Sequence, residues 1–333
     1  MANPLSFTFH GHRTFNEEWT PHQNVSDMWH VQGLVHELRL DQALYGFSLS
    51  ISRLAVGLEY YTLISYSLTD MLARAHYTVD QVVGPKDDGL LADADSLIWG
   101  EQAQMLLDGD AVAVSLRGDD FGLDLRLDRT LAEVWHGKDG LLRFHHRRPG
   151  SGRMYNVVLP SMIAGGKLQF KDRTVPVVGR AGFDRLWGDL PLKRAASHWE
   201  RTYLFFDNGD ELLLTDFPQA IYHTGMWLNK QGSNKALGEY ALQAVDFQEA
   251  EGWRFASGWK LHIPEYSKDA FLLIPLDKDG YSRPVSRPLL GVYDEQGTVL
   301  GYGFSGLMPA ARQNIKRVDP KALLLAGKQP DRV

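Results

Sequence analysis

The sequence predicts an antiparallel all-β protein. Three observations carry that expectation: apolar and polar residues alternate with a period of two, turn-forming tetrads separate the alternating runs, and helical periodicity is nearly absent. From Tyr45 to Ser52 the alternation is clean, with Tyr45, Phe47, Leu49 and Ile51 on one face and Gly46, Ser48, Ser50 and Ser52 on the other. Phe121, Leu123, Leu125 and Leu127 oppose Gly122, Asp124, Arg126 and Asp128 in the same way. Later in the chain Trp253, Phe255, Trp259, Leu261 and Ile263 are expected to share a face, as are Thr298, Leu300, Tyr302 and Phe304. The turns between them are Asp108-Gly109-Asp110, Arg117-Gly118-Asp119-Asp120, Lys138-Asp139-Gly140, Asp207-Asn208-Gly209-Asp210, Lys278-Asp279-Gly280 and Glu295-Gln296-Gly297. Such spacing fits a sandwich or barrel rather than βαβ units. Short helices are expected only at Met308 to Lys316 and Pro320 to Ala326.

A chain of 333 residues exceeds the usual single core, so two domains are expected. The break falls in Asp189-Leu190-Pro191-Leu192-Lys193-Arg194-Ala195-Ala196, and strand-like sequence resumes at Thr202. This divides the chain into an N-terminal β domain, 1–190, and a C-terminal β domain, 191–333, with a peripheral tail after Val318.

Composition excludes several classes of function. A formal charge of −6 gives no electrostatic footprint for nucleic acid, and the basic run His145-His146-Arg147-Arg148 reads as a solvated loop. With no cysteine there are no disulfides, thiolate nucleophiles or Cys-based metal sites. The first residues lack a secretory signal, which fits a cytoplasmic location, and no apolar run is long enough to cross a bilayer. Transient contact with a membrane surface stays open, as does the oligomeric state.

The usual catalytic constellations are missing. Twelve histidines invite a metal, but neither His10 and His12 nor His30 and His36 come with a third ligand at a recognised spacing. No Gly-x-Ser-x-Gly elbow and no phosphate-cradling loop is present, so neither metal nor nucleotide cofactor is expected. What remains is the aromatic content, 9 Trp, 13 Tyr and 15 Phe, and one carboxyl set among aromatics. Asp184 lies between Phe183 and Trp187 and next to Arg185. Two readings stand: a proton donor whose pKa is raised by desolvation, or a structural Asp paired with an Arg. The serines of the Tyr45 strand also leave two options, inward toward a ligand-holding lumen or outward to water.

Four stretches together resemble the carotenoid 1,2-hydratase (hydroxyneurosporene synthase) family and its AttH-type lipocalin-like relatives, a superfamily similar to decalin-forming Diels–Alderases. Asp27-Met28-Trp29-His30-Val31-Gln32-Gly33 resembles the family's acid-Trp-Trp-Tyr-Phe-Asn-Gly opening, followed by the Tyr45 to Arg53 strand. Tyr66-Ser67-Leu68-Thr69-Asp70 is similar to its next strand. Tyr155 onward through Gly166-Lys167-Leu168, Val178-Gly179 and Phe183-Asp184-Arg185-Leu186-Trp187 resembles the central block. Trp199-Glu200 and Phe206-Asp207-Asn208-Gly209-Asp210-Glu211-Leu212 resemble the Trp-Asp-Trp strand and its hairpin, with Arg201 in place of the second Trp. Near the C-terminus Pro288-Leu289-Leu290-Gly291 and Gly301-Tyr302-Gly303-Phe304-Ser305-Gly306 each lack the family's acid.

The resemblance implies two lipocalin-like, calycin-type β domains holding a small apolar molecule near their junction. It implies cofactor-free chemistry on a polyene, isoprenoid or polyketide-type substrate: hydration of a C=C bond, or cyclisation or isomerisation. Asp184 is then the candidate acid, and Trp29, Tyr66, Tyr155, Trp187 and Trp199 the candidate lining. A non-catalytic carrier with the same shell is the alternative.

Overall fold

The computed structural model describes residues 14–56, 59–85, 89–137, 140–143, 153–188, 200–217, 222–250, 253–276 and 289–307. The chain opens with β1 (Ser26–Glu37), β2 (Leu40–Val56), β3 (Glu59–Asp70) and β4 (Ala75–Val83). Five shorter strands follow: β5 (Leu90–Ala92), β6 (Ser96–Trp99), β7 (Ala103–Asp108), β8 (Ala111–Arg117) and β9 (Phe121–Asp128). Then come β10 (Val134–Trp135), β11 (Leu141–Arg143) and the long pair β12 (Arg153–Phe170) and β13 (Thr174–Gly188). These make one 13-stranded antiparallel sheet in the order β4-β3-β2-β1-β13-β12-β9-β8-β7-β6-β5, with β10 and β11 also on β12.

The second sheet has nine strands. They are β14 (Glu200–Phe206), β15 (Glu211–Phe217), β16 (Tyr222–Leu228), β17 (Asn234–Ala236), β18 (Ala241–Ala250), β19 (Trp253–His262), β20 (Phe271–Pro275), β21 (Leu289–Tyr293) and β22 (Val299–Leu307). Their order is β17-β16-β15-β14-β22-β21-β20-β19-β18. The helix among the described residues is a single 3-10 turn, Asn16–Glu18. The protein is all-β, as expected. The two terminal helix candidates, the 145–148 run and the 189–196 break lie outside the described residues.

Both sheets curl into half-barrels around their own apolar faces. In the first, the odd-numbered residues of β1, β2, β9 and β13 share one core with β3, β7, β8 and β12. Strands far apart in the order meet across it: Tyr66 on β3 donates to the Arg117 carbonyl of β8 at 2.7 Å and packs against Phe121 of β9. The two ends of the strand order also meet, with Trp99 Nε1 of β6 donating to Gln81 Oε1 of the edge strand β4 at 3.1 Å. The second half-barrel encloses Leu204, Phe206, Leu212, Leu214, Trp227, Trp259 and Leu261.

A third apolar cluster joins the sheets back to back, with Leu34 and Val158 from the first against Tyr203, Phe205, Leu213, Leu289 and Phe304 from the second. Close approach there depends on glycine. A Cβ on Gly46 would lie 2.8 Å from Leu289 Cδ1, and one on Gly182 would overlap the Tyr203 phenol. Glu211 ties the join at one point, accepting from Ser161 Oγ at 2.8 Å and from Tyr203 OH at 2.5 Å.

Two sequence expectations about faces need adjustment. The serines of β2 do not point into the half-barrel, because Phe47, Leu49 and Ile51 occupy that face. They lie on its other side, yet Ser48, Ser50 and Ser52 are buried rather than solvated. Leu300 does not share a face with Tyr302 and Phe304. A register shift between Val292 and Tyr293 leaves it on the second core while the other two join the interface.

Candidate functional site

Strand β13 delivers two different groups to its two sides. Phe183, Arg185 and Trp187 point into the first half-barrel, whereas Asp184 and Leu186 point out of it, as the period of two demands. Asp184 and Trp187 therefore do not share a site.

On the inner side, Trp29, Tyr155 and Trp187 belong to one buried cluster. Trp187 is stacked between the His22 ring, 5.0 Å away and 7° from parallel, and the Tyr155 ring at 5.5 Å. Trp135 meets its edge. The Arg185 guanidinium lies 4.0 Å over the Trp29 ring, a cation–π contact strengthened by burial. Around these rings sit Glu18, His22, Asp27 and Arg185, of which all but His22 are fully buried. Arg185 Nη2 donates to Asp27 Oδ1 at 2.5 Å, and its other N–H groups reach the carbonyls of Glu18, Thr20, Met28 and Leu186. Burial pushes the Arg185 pKa down and Asp27 holds it up, so the guanidinium depends on its partner.

His22 completes the group. Its Nδ1 lies 2.8 Å from Asp27 Oδ1 and its Nε2 lies 2.8 Å from Glu18 Oε2. A neutral imidazole has one N–H and one lone pair, and a lone pair facing a carboxylate is repulsive. Arg185 Nη2 lies 3.2 Å from the same Nδ1 and can donate to that lone pair, while Nε2 donates to Glu18 Oε2.

The outer side holds a different network. Asp184 pairs with Arg201 of β14 and accepts from Asn156 Nδ2 of β12. Asn156 Oδ1 in turn accepts from Arg201 Nη2 at 3.1 Å and from His136 Nδ1 at 3.2 Å. Arg201 Nη1 donates to Thr215 Oγ1 at 3.1 Å, and His136 Nε2 accepts from Thr224 Oγ1 at 3.1 Å. Burial and the nearby Arg201 charge drive the His136 pKa down to about 3, so it is neutral. His30, opposite Asp184 on β1, bonds Ser48 Oγ at 3.1 Å.

Asp184 is thus a paired aspartate, but its partner is Arg201 rather than the adjacent Arg185, whose side chain leaves the opposite face. Tyr66 stands apart from both groups, in the core of the first half-barrel, its pKa raised to about 12 chiefly by burial. Trp199 lies outside the described residues. Sequence reasoning missed Glu18, His22 and Arg185 as a group. Asp27 was visible as the acid of the opening motif, while Glu18 and His22 lie ahead of β1, where no periodicity marks them. Among the described residues no cluster of His, Asp and Glu is placed to hold a metal ion, and no helix is long and apolar enough to cross a membrane.

Two half-barrels joined back to back are also the architecture of known proteins. Residues 12–282 match the AttH-like family. The chain belongs to the AttH-like family. The AttH-type resemblance seen in the sequence is borne out over most of its length. Among solved structures, this AttH-like chain is similar to a crystal structure assigned as an AttH from Nitrosomonas europaea, with a TM-score of 0.75 at 14% identity. That match covers 92% of this chain and 99% of the other. It is also similar to kievitone hydratase from Nectria haematococca, with a TM-score of 0.69 at 15% identity, covering 90% and 94% of the two chains. At such identities the likeness is one of fold. No curated protein sequence matches the chain.

Proposed function

We propose that this AttH-like protein is a cofactor-independent enzyme of the hydratase type, acting on an apolar, unsaturated isoprenoid or polyketide-like substrate. The observation that carries this reading is His22, held between the Asp27 and Glu18 carboxyl groups with its ring stacked on Trp187. A proton donor must reach its substrate. Of the two acid centres, this one includes a side chain that keeps 9% exposure and lies against aromatic rings. The sealed Asp184–Arg201 pair offers neither reach nor a spare proton.

In this reading a proton passes from the His22–Asp27–Glu18 unit to one alkene carbon. The cation formed on the neighbouring carbon lies against the Tyr155 face turned away from Trp187. Water adds there, and its proton returns to the emptied unit, so the group ends as it began. The likeness to kievitone hydratase supports hydration over the other chemistries open to such a site.

Kievitone, an assay for hydrated product, and three variants test the proposal. Product one water heavier, formed by the wild type and by Asp184→Asn but lost by at least about 100-fold in His22→Gln and Asp27→Asn, is the expected result. Unimpaired turnover in the latter two, with circular dichroism intact, overturns the assignment. Loss confined to Asp184→Asn moves the acid to the interface. A product of unchanged mass means cyclisation or isomerisation, and tight binding without any product means a carrier.

A further inference from the structure

The second half-barrel contains a titratable group that the proposed chemistry does not use. At one end of its inner face, Glu200 on β14, Asp216 on β15 and His223 on β16 stand in register on neighbouring strands. Tyr240 lies across them, its OH 3.0 Å from Asp216 Oδ2 and its ring 4.9 Å from the His223 ring. The same hydroxyl is 3.2 Å from the Thr224 carbonyl and 3.4 Å from that of Thr215. Thr215 and Thr224 are themselves paired across β15 and β16. Their side chains point the other way, out of the half-barrel, to Arg201 and His136. The two peptides thus have Tyr240 on one side and the interface network on the other.

We propose that Asp216 and Tyr240 form a pH-sensitive switch that sets how the second half-barrel grips the interface network of Asp184, Arg201, Asn156 and His136. A phenol has one proton to donate. When Asp216 is a carboxylate it takes that proton. When Asp216 is protonated it donates to the phenol oxygen instead, and Tyr240 turns its own proton to the Thr224 carbonyl. Two donor arrangements on one hydroxyl, biased by one carboxyl, make a bistable element. Burial, opposed by the Tyr240 hydrogen bond and reinforced by the Glu200 charge, raises the Asp216 pKa from 3.8 to about 7, inside the physiological range.

The groups facing Asp216 from the elements around it, among the described residues, are Glu200, His223 and Tyr240. Behind them, across the sheet, lie Arg201, Asp184 and His136. His223 is exposed and must be separated from the switch.

His136 is the reporter, because its own titration lies far lower, at about 3. In the full chain with labelled histidine, the His136 ring resonances are expected to show an inflection across neutral pH. Its midpoint should coincide with that of the Asp216 carboxyl carbon. The inflection should vanish in Asp216→Asn, vanish in Tyr240→Phe while the Asp216 carbon still titrates, and survive in His223→Gln. A flat His136 response in the wild type overturns the switch. So does an inflection that persists in Tyr240→Phe, or one that disappears with His223. If Asp216→Asn does not fold, Tyr240→Phe and the coincidence of midpoints decide the matter without it.

Discussion

Asp27 and Asp184 are both fully buried and both paired with an arginine, yet they sit on opposite sides of the same sheet and are built for different work. Asp184 and Arg201 form a neutral pair, sealed by Asn156, Thr215 and a neutral His136. Asp27 and Arg185 form a pair to which His22 and Glu18 are added, with His22 bridging the two carboxyl groups. The sealed pair locks two half-barrels together, and the other is, in the proposed function, the proton donor. A carboxyl surrounded by aromatic residues in the sequence is therefore not the same as a carboxyl surrounded by aromatic rings in space.

The sharpest way to break this comparison is to remove one arginine at a time. Arg201→Met leaves Asp184 as an uncompensated buried charge and is expected to cost about 3–5 kcal/mol. Adding Asp184→Asn should recover most of that loss, since both charges are then gone. Arg185→Met should not be rescued by Asp27→Asn, because the carbonyls of Glu18, Thr20, Met28 and Leu186 stay without their donor. Urea unfolding of the two double-mutant cycles measures both. Equal rescue in the two cycles would erase the distinction between a simple pair and a larger group.

The two histidines give the next contrast. His22→Phe keeps a ring over Trp187 but leaves Glu18 and Asp27 facing each other, with an expected cost of about 1–3 kcal/mol from lost bonds to charged groups. His136→Phe removes two neutral hydrogen bonds and should cost about 1 kcal/mol. Thermal unfolding at neutral pH ranks them, and the reverse order would overturn the contrast.

Asp216 separates the two half-barrels by pH. Its folded pKa, about 7, lies above the unfolded value near 3.8, so the folded state binds the proton more tightly. The protonated form's advantage is complete below about pH 4 and is lost as pH rises through about 7. The wild type should thus lose stability over that window by up to about 4 kcal/mol, given that each of the roughly three tenfold steps in proton affinity is worth roughly 1.4 kcal/mol. Asp216→Asn should show a flatter profile. Stability measured by denaturant at several pH values checks the sign, and a wild type that gains stability over this window contradicts it.

Much of this was legible in the chain. The alternation of Tyr45 to Ser52 and of Phe121 to Asp128 specified which face is core, because a half-buried strand exposes its pattern in every second residue. The same rule applied to 183–187 already separates Asp184 from Phe183, Arg185 and Trp187. The aromatic neighbours in sequence obscured that parity. What could not be read was the pairing of Asp184 with Arg201, or of His22 with Asp27 and Glu18. Those contacts depend on how two sheets and a loop before β1 come together, and no local period encodes them. Leu300 shows the limit of the rule itself, since one bulge in β22 reverses the faces on either side of it.

Tyr66 is where the sequence pattern and the structure diverge on role, and its effect is expected to be the smallest. It resembles a lining residue of the family, but its phenol closes the half-barrel by bonding the Arg117 carbonyl, and its ring packs on Phe121. Tyr66→Phe keeps the ring and its burial and removes only that bond, at an expected cost of about 0.5–1 kcal/mol. Because burial holds its pKa near 12, the phenol stays protonated and the loss should be the same at every pH from mildly acidic to mildly alkaline. Turnover per folded molecule should be unchanged, in contrast to His22→Gln and Asp27→Asn. A fall in turnover without a fall in stability would mean that the Tyr66 hydroxyl touches the ligand, and that the working part of the first half-barrel extends from His22 to the Tyr66 side of its core.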